Sequence, residues 1–229
     1  MNRLLAFLIL ATTLAASPVA AMTVYEAELT CPIGGEKFTT RLVGSGTAFG
    51  QYLDRRQFGA TVSPWPLAKC PTNGFVIFRK DFSPAEKSRL EAIVASAEYR
   101  ALQASETNYY LAAHLKRALG ASPLELFPTL LAATWEATGD ARYDRYATEA
   151  LATLERVMAK PDATFEDPLG HAQLAAELER RLGRFDAAHR RLSALLPQVQ
   201  GTGLEPLVRQ ELRLVDARDR SPQQVEATP

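Results

Sequence analysis

The sequence predicts a mainly α-helical protein, in which antiparallel helical hairpins follow a small head that contains β-strands. Two segments with the same helix-start signal carry this prediction, Ser83-Pro84-Ala85-Glu86 and Ser122-Pro123-Leu124-Glu125. In each, the serine can cap the helix, the proline suits the first turn, and the glutamate can reach back to the serine N–H. Gly120, Gly139 and Gly183 stand where helices are expected to end.

The helical body is expected over residues 83–219, because alanine and leucine recur there at helical spacing. The pattern predicts seven helices, at residues 84–103, 106–119, 123–137, 141–159, 169–182, 184–198 and 204–219.

The head is expected over residues 22–82 and contains three strand candidates. Residues 24–29 and 37–43 carry apolar side chains in extended-looking runs, and residues 75–78 form a β-branched and aromatic run after an Asn-Gly turn. Three glycines are expected to break the second strand pattern: Gly44, Gly46 and Gly50.

The N-terminus has the features of a secretion signal. Arg3 precedes an uncharged apolar run at residues 4–14, and Val19 and Ala21 fit the positions that signal peptidase reads, so removal of residues 1–21 is predicted. The alternative is an uncleaved membrane anchor, although the run is shorter than the about 20 residues that span a bilayer. The mature protein is therefore expected to be soluble and periplasmic.

The charge balance gives no basis for nucleic-acid binding, because 26 basic residues match 26 acidic ones and such binding depends on neutralising phosphates. Arg180-Arg181 and Arg190-Arg191 are interpreted as solvated helix faces. Residues 220–229 are polar and contain proline and glutamine, so a disordered tail is predicted.

No catalytic or cofactor-binding pattern is found. His114, His171 and His189 form no H-E-x-x-H motif, and the glycine-rich residues 44–50 lack the G-x-G-x-x-G spacing that cradles phosphate. A G-x-S-x-G nucleophile turn is also missing. We therefore expect a protein that is not an enzyme and that uses no cofactor and no metal.

Residues 174–188 resemble one tetratricopeptide repeat. Ala176 and Ala188 take the small positions where two helices cross, Gly183 lies at the turn, and Phe185 starts the second helix. A weaker copy surrounds Gly139, although the 44 residues between the two glycines exceed the usual period of about 34. The resemblance implies a tetratricopeptide-like stack, and an ordinary antiparallel helical bundle is the alternative.

The only two cysteines have matching surroundings, Cys31-Pro32-Ile33-Gly34-Gly35 and Cys70-Pro71-Thr72-Asn73-Gly74. Each resembles the C-P-x-C-G turn of a zinc ribbon in which the second cysteine has been replaced. Proline and glycine bend such turns so that two thiolates face one metal. Glycine offers no donor at this position and asparagine offers only a neutral oxygen.

The order of a cysteine turn, strands, a second cysteine turn, an apolar strand and helical repeats resembles a bacterial family of unknown function. Its members carry a C-P-x-C-G pair ahead of a tetratricopeptide-like tail. The resemblance covers about residues 28–200, and residues 67–82 carry most of it. It implies a zinc-ribbon-like head, degenerate in this chain, and supplies no biochemical activity. The family's metal does not carry over, because half of its ligand positions are missing.

A structural disulfide between Cys31 and Cys70 is predicted in place of the metal. Zinc holds any two of its sulfurs only roughly 3.8 Å apart, so a modest collapse in an oxidising compartment would join them. Two free thiols, or a metal or redox function, are the alternatives.

Aromatic residues cluster in the early body, around Trp135. Core packing between paired helices is the simpler interpretation. The alternative is a groove on the stacked hairpins that binds a partner, lined by a mixed aromatic and basic set: Tyr109, Tyr110, Arg142, Tyr143, Arg145 and Tyr146.

Three functions follow from these patterns. The first is a non-catalytic periplasmic scaffold whose helices bind an unidentified peptide or protein partner. The second is a thiol-redox or metal-responsive envelope protein that uses Cys31 and Cys70. The third, an envelope enzyme with an unrecognised site, has the least support because the motifs are missing.

Overall fold

In a computed structural model, residues 22–160 and 166–226 are described. The predicted signal at residues 1–21, its cleavage and the alternative of an anchor lie outside these residues. The described part consists of a three-stranded antiparallel sheet followed by eight α-helices and one 3-10 turn, so the mainly α prediction is confirmed. None of the helices in this part is long and apolar enough to cross a membrane.

The sheet has the order β1-β2-β3. Its strands are β1 (Met22–Thr30), β2 (Lys37–Gln51) and β3 (Gln57–Ala60). The helices are α1 (Pro84–Val94), α2 (Ala97–Ser105), α3 (Asn108–Ala118), α4 (Pro123–Glu136), α5 (Tyr143–Met158), α6 (Pro168–Arg181), α7 (Phe185–Leu195) and α8 (Glu205–Asp216), with the 3-10 turn at Leu196–Gln198.

The glycines expected to break the second strand lie inside it, so that prediction is wrong. β2 continues to Gln51 and pairs first with β1 and then with β3. Glycine is required there by close packing: a Cβ on Gly50 would lie 2.8 Å from the Phe58 ring, and one on Gly46 would meet the Thr61 side chain. The glycines therefore admit neighbouring side chains.

Residues 75–78 were predicted as a strand and form none. Only one isolated bridge, between Lys69 and Val76, is present there. Phe75 and Val76 are fully buried, so the apolar run of the sequence marks core residues in an irregular segment. A short apolar run does not distinguish these two cases.

The first predicted helix, 84–103, is two helices in the structure. The break falls at Ala95-Ser96, where the Ser96 hydroxyl accepts a hydrogen bond from the Tyr99 N–H and caps α2. The new direction buries Tyr99 completely, and its hydroxyl donates to the carbonyl of Gly74 in the head. The bend therefore attaches the second cysteine turn to the helices.

Three apolar clusters form the core. One joins the two cysteine turns to α1, α2 and α3, so the head shares its core with the first helices. The other two lie between α3 and α6 and between α6 and α8. From α3 onward each α-helix packs against the next.

The tail was predicted to be disordered from residue 220, and this is wrong for residues 220–226. Gln223 and Val225 pair with the end of β2, and Gln224 bridges to Tyr52. The chain beyond α8 has backbone partners on the sheet, a kind of contact that composition does not reveal. Residues 227–229 lie outside the described part.

Candidate functional site at the junction of the head and the helices

Cys31 and Cys70 form the predicted disulfide, with Cα atoms 5.8 Å apart. Both residues are buried, at 1% and 0% exposure. They lie in the apolar cluster that joins the head to α1, α2 and α3. The disulfide therefore links the two turns from inside the core.

The two cysteine turns have the same hydrogen-bond pattern. The Cys31 N–H donates to Glu36 and its carbonyl accepts from Gly35; at the same offsets, Cys70 bonds to Phe75 and Gly74. This similarity extends the sequence match between the turns to their backbone geometry.

Asn73, at the position where the sequence comparison predicts a lost zinc ligand, connects the two turns. Its Nδ2 donates to the Ile33 carbonyl at 2.7 Å, and its Oδ1 accepts from the Phe75 N–H at 2.9 Å. Gly34 lies beside it with φ +87°, a conformation that cysteine rarely adopts. These residues do not fit a zinc ion. The two sulfurs are joined in a disulfide, the Asn73 amide is already hydrogen-bonded, and Gly34 has no side chain.

The aromatic and basic residues predicted to line a groove lie together, but they bind one another. The Tyr110 and Tyr146 rings stack at 4.2 Å between centroids, and the Arg145 guanidinium lies 5.0 Å from the Tyr146 ring. Arg145 also donates two hydrogen bonds to Glu106, and the Tyr146 hydroxyl donates to the same carboxylate at 2.5 Å. The Tyr146 hydroxyl accepts from the Thr107 N–H at 3.2 Å. This network joins α5 to the loop between α2 and α3.

Arg142 and Tyr109, which were predicted to line the same groove, also bind other parts of the protein. Arg142 donates to the Ser105 carbonyl, and the Tyr109 hydroxyl donates to the Trp65 carbonyl at 2.9 Å. Tyr143 is 6% exposed and Tyr146 is 0% exposed. The groove prediction is therefore wrong for these two, because helix packing covers them. Core packing, the simpler interpretation, describes them correctly.

A different group of residues forms a buried junction that sequence reasoning missed. The turn between β2 and β3 inserts Leu53 and Asp54 against the helices, where both are almost completely buried. Trp135 of α4 donates from Nε1 to the Asp54 carbonyl at 3.2 Å, and Gln173 of α6 donates to the Leu53 carbonyl at 3.2 Å. The helices thus hold the main chain of this turn.

Charged side chains surround the turn. Arg180 donates to both oxygens of Glu177, at 2.7 and 2.8 Å, and both residues are buried. Arg181 lies 3.6 Å from Asp54 and 4.5 Å from the Tyr143 ring centroid. The interpretation of Arg180-Arg181 as a solvated face is wrong, because this side of α6 faces the head and the residues after α8.

Glu211 of α8 completes the junction. Its Oε1 accepts from Gln173 at 2.5 Å, and its Oε2 is buried without a hydrogen-bond partner. Burial, with Glu177 nearby, raises the pKa of Glu211 well above its usual value. Burial also raises the pKa of Asp54, and it raises that of Glu177 to about 7 in spite of Arg180.

The charge count of the junction agrees with a protonated Glu211. Three buried carboxyls, from Asp54, Glu177 and Glu211, meet two buried guanidiniums, from Arg180 and Arg181. Above a pH of about 7, where Glu177 is ionised, a neutral Glu211 leaves two carboxylates facing two guanidiniums, a balance that low-dielectric surroundings favour. Several buried polar atoms here still lack a hydrogen-bond partner, including Asp54 Oδ2 and the Arg181 Nε. The junction is therefore incompletely satisfied.

One sequence signal could have indicated the junction. Glu177 and Arg180 lie three residues apart on α6. The same helix buries apolar side chains on another face, namely Leu174, Ala175 and Leu178. A helix that is buried on all sides has no solvent-exposed face, so its charged side chains must point into the protein. The partners Asp54 and Glu211 are distant in sequence, and no local pattern connects them.

The side chains of the junction hold the turn between β2 and β3 by hydrogen bonds and a charge contact. Within residues 22–160 and 166–226, no group of three or more histidine, cysteine or carboxylate side chains is placed to hold a metal ion. No protein-family model, curated protein or solved structure matches this chain.

Proposed function

We propose that the protein is a non-catalytic interaction protein of the bacterial periplasm, whose tetratricopeptide-like helices hold an extended segment of a partner protein. One observation carries this proposal. Every second helix of the stack, α4, α6 and α8, directs polar side chains at the main chain of non-helical segments. Trp135, Gln173, Arg180 and Gln210 all donate to backbone carbonyls.

Hydrogen bonds to backbone carbonyls depend little on the sequence of the bound segment, because every residue has a carbonyl. Arg180 donates to the Ser221 carbonyl at 3.1 Å and also to that of Asp219. These three helices therefore already hold the chain's own segments by hydrogen bonds to the main chain. The same donors suit an extended segment from another protein.

Space for such a segment is found on this face. A cavity of about 350 Å³ lies beside the turn and is lined by Leu53, Gln173, Leu204 and Leu207 among others. Its lining combines apolar and polar side chains. An exported location is supported by the buried disulfide, since disulfides persist in oxidising compartments, and by the signal predicted in the sequence.

Site-specific photo-crosslinking in intact cells tests the proposal. A photoreactive residue at Leu207 lies in the cavity, and one at Arg190 lies on the exposed side of α7 as the matched control. We expect a discrete protein adduct from position 207 and none from position 190. No adduct at 207, or the same adducts from both positions, would contradict the proposal.

The alternative, a thiol-redox or metal-responsive protein, has no observation in its favour. Both sulfurs are buried in an apolar cluster, whereas reactive cysteines are partly exposed in electropositive surroundings.

A further inference from the structure

The residues after α8 pair with the end of β2 through one isolated bridge, between Tyr52 and Gln224. The Leu53 N–H donates to the Gln223 carbonyl, and the Val225 N–H donates to the Gln51 carbonyl, both at 2.9 Å. The pairing is antiparallel. Residues 223–226, which we call the tail strand, therefore extend the end of β2 by strand addition.

The opposite edge of the tail strand is held by one side chain. Gln210 of α8 donates from Nε2 to the Gln224 carbonyl at 2.7 Å, and its Oε1 accepts from the Glu226 N–H at 3.1 Å. Gln210 is only 4% exposed. A primary amide matches a backbone carbonyl and N–H at once, since it has both donor and acceptor. Both edges of the segment are thus bound through its main chain.

An open cavity of about 590 Å³ adjoins the tail strand, lined by Phe49, Phe58 and Val225 among others. Phe49 is 69% exposed, more than any other large apolar side chain among the described residues. Glu226, the next residue along, forms an ion pair with Arg213 at 2.6 Å. Val225 and Glu226 both line this cavity, and the Glu226 carboxylate reaches Arg213 of α8 at its side.

We propose that the slot between the end of β2 and Gln210 is a binding site for an extended segment of a partner protein. The segment has a large apolar residue followed directly by an acidic one. The inference rests on the proposed interaction function and specifies what is recognised. The large residue fills the cavity beside Phe49 and Phe58, the acid pairs with Arg213, and the main chain takes the four hydrogen bonds.

The chain's own tail strand is the resident occupant and a weak version of this ligand. Valine at position 225 is small for the adjacent cavity. A tethered occupant nevertheless competes at an effective concentration on the order of millimolar. A partner segment therefore displaces the tail strand only if it makes more apolar contacts with the cavity than Val225 does.

Peptide binding to a shortened protein tests the proposal. A chain that ends at Pro222 lacks the tail strand but keeps the carbonyls of Asp219 and Ser221 that Arg180 binds. The probe is a synthetic peptide of residues 222–229, measured by calorimetry. We expect it to bind the shortened chain, to bind the full chain at least about tenfold more weakly, and to bind more tightly when it carries Val225→Phe.

Controls separate main-chain recognition from nonspecific adhesion. Val225→Pro in the peptide removes the N–H that Gln51 accepts and should abolish binding, and Glu226→Lys should weaken it. Gln210→Ala in the shortened chain should weaken binding about tenfold. Gln198→Ala, an exposed glutamine that bonds only within its own helix turn, should have no effect. Binding that survives Val225→Pro, or no binding to the shortened chain, would overturn the proposal.

Two further results distinguish the possible explanations. A concentration-dependent dimer of the full chain that disappears on shortening would assign the slot to the tail of a second copy and overturn the partner assignment. If no peptide binds and Gln210→Ala leaves the adduct at position 207 unchanged, the slot is not a binding site. The proposed interaction function would then still be supported by the adduct. If peptides bind but no adduct forms, the slot stands and the wider function fails.

Discussion

The indole Nε1 of Trp135 donates a hydrogen bond to the carbonyl of Asp54, at 3.2 Å and 81 residues away in the sequence. This bond connects the fourth helix to the turn of the head sheet. Gln173 makes the matching bond to the Leu53 carbonyl from α6. Two side-chain donors that face adjacent carbonyls therefore hold the turn between β2 and β3 against the helices.

Trp135→Phe is expected to destabilise the protein by about 1–3 kcal/mol, because it leaves the Asp54 carbonyl without its donor in a buried site. Urea unfolding followed by circular dichroism measures the change. Trp65→Phe is the matched control, since Trp65 is 48% exposed and a surface substitution usually changes stability by less than about 0.5 kcal/mol. Equal effects of the two substitutions would show that the indole bond does not hold the turn.

Stability should fall as the pH rises from about 5 to about 8. The folded protein raises the pKa of Glu177 from 4.5 to about 7, and it raises those of Glu211 and Asp54 as well. A carboxyl with a raised pKa binds its proton more tightly when folded, so its stabilisation is complete below the unfolded pKa and is lost as the pH passes the folded pKa. The measurement is the melting temperature at the two pH values.

Glu211→Gln should flatten this pH dependence, since the amide stays neutral and keeps an oxygen for Gln173. Glu205→Gln is the control: hydrogen bonds from Gly201 and Arg209 lower the pKa of Glu205, which is therefore ionised throughout this range. A slope that is unchanged by Glu211→Gln would mean that this carboxyl does not hold a proton in the folded state.

At pH 8, where Glu177 is ionised, Arg180→Met is expected to cost about 3–5 kcal/mol, because it leaves Glu177 buried without its charged partner. It also removes the donors to the carbonyls of Asp219 and Ser221. Arg209→Met breaks an exposed pair with Glu205 and should cost less than about 1 kcal/mol. Unfolding in urea gives both values.

The double variant Arg180→Met with Glu177→Gln decides the cause of that loss. Removing both charges should recover part of the stability, since a neutral amide is far less costly to bury than a lone carboxylate. A double variant no more stable than Arg180→Met would assign the loss to the main-chain bonds of Arg180 alone.

Local signals in the sequence were sufficient for some of this structure. Ser83 and Ser122 both form the complete capping boxes that their four-residue patterns predict. Gly120 and Gly183 end helices with φ of +84° and +75°, values at which glycine has no steric penalty. The disulfide was inferred from two matching turns and from the exported location that the sequence predicts.

Contacts between distant residues could not be predicted in this way. The break at Ser96 occurs within an unbroken helical pattern, because docking of Tyr99 on the head outweighs helix propensity. The junction depends on Asp54, Glu177 and Glu211 meeting in space, and each is an ordinary charged residue in its local sequence. The tail strand is polar and short, so its order comes from contacts with the end of β2, Gln210 and Arg213.

Loss of the disulfide should destabilise the protein by about 2–4 kcal/mol. The bond closes a loop with a sequence separation of 39, for which the chain-entropy model gives at most about 4 kcal/mol. Cys31→Ala with Cys70→Ala removes it, and the melting temperature measures the effect. Alkylation of the native protein without reductant should modify neither sulfur. Two reactive thiols, or zinc bound in equal amount to protein, would contradict the structural role.

Tyr146→Phe should lower stability by about 1–3 kcal/mol, because its hydroxyl donates to Glu106 and accepts from the Thr107 N–H in a largely buried network. The stack on Tyr110 needs only the ring, so the loss measures the hydroxyl. Tyr25→Phe, in an exposed strand position at 52% exposure, is the control and should have little effect. A Tyr146→Phe protein that unfolds like the wild type but loses its crosslinked partner would restore the groove interpretation, since a ligand-contacting tyrosine affects binding before it affects folding.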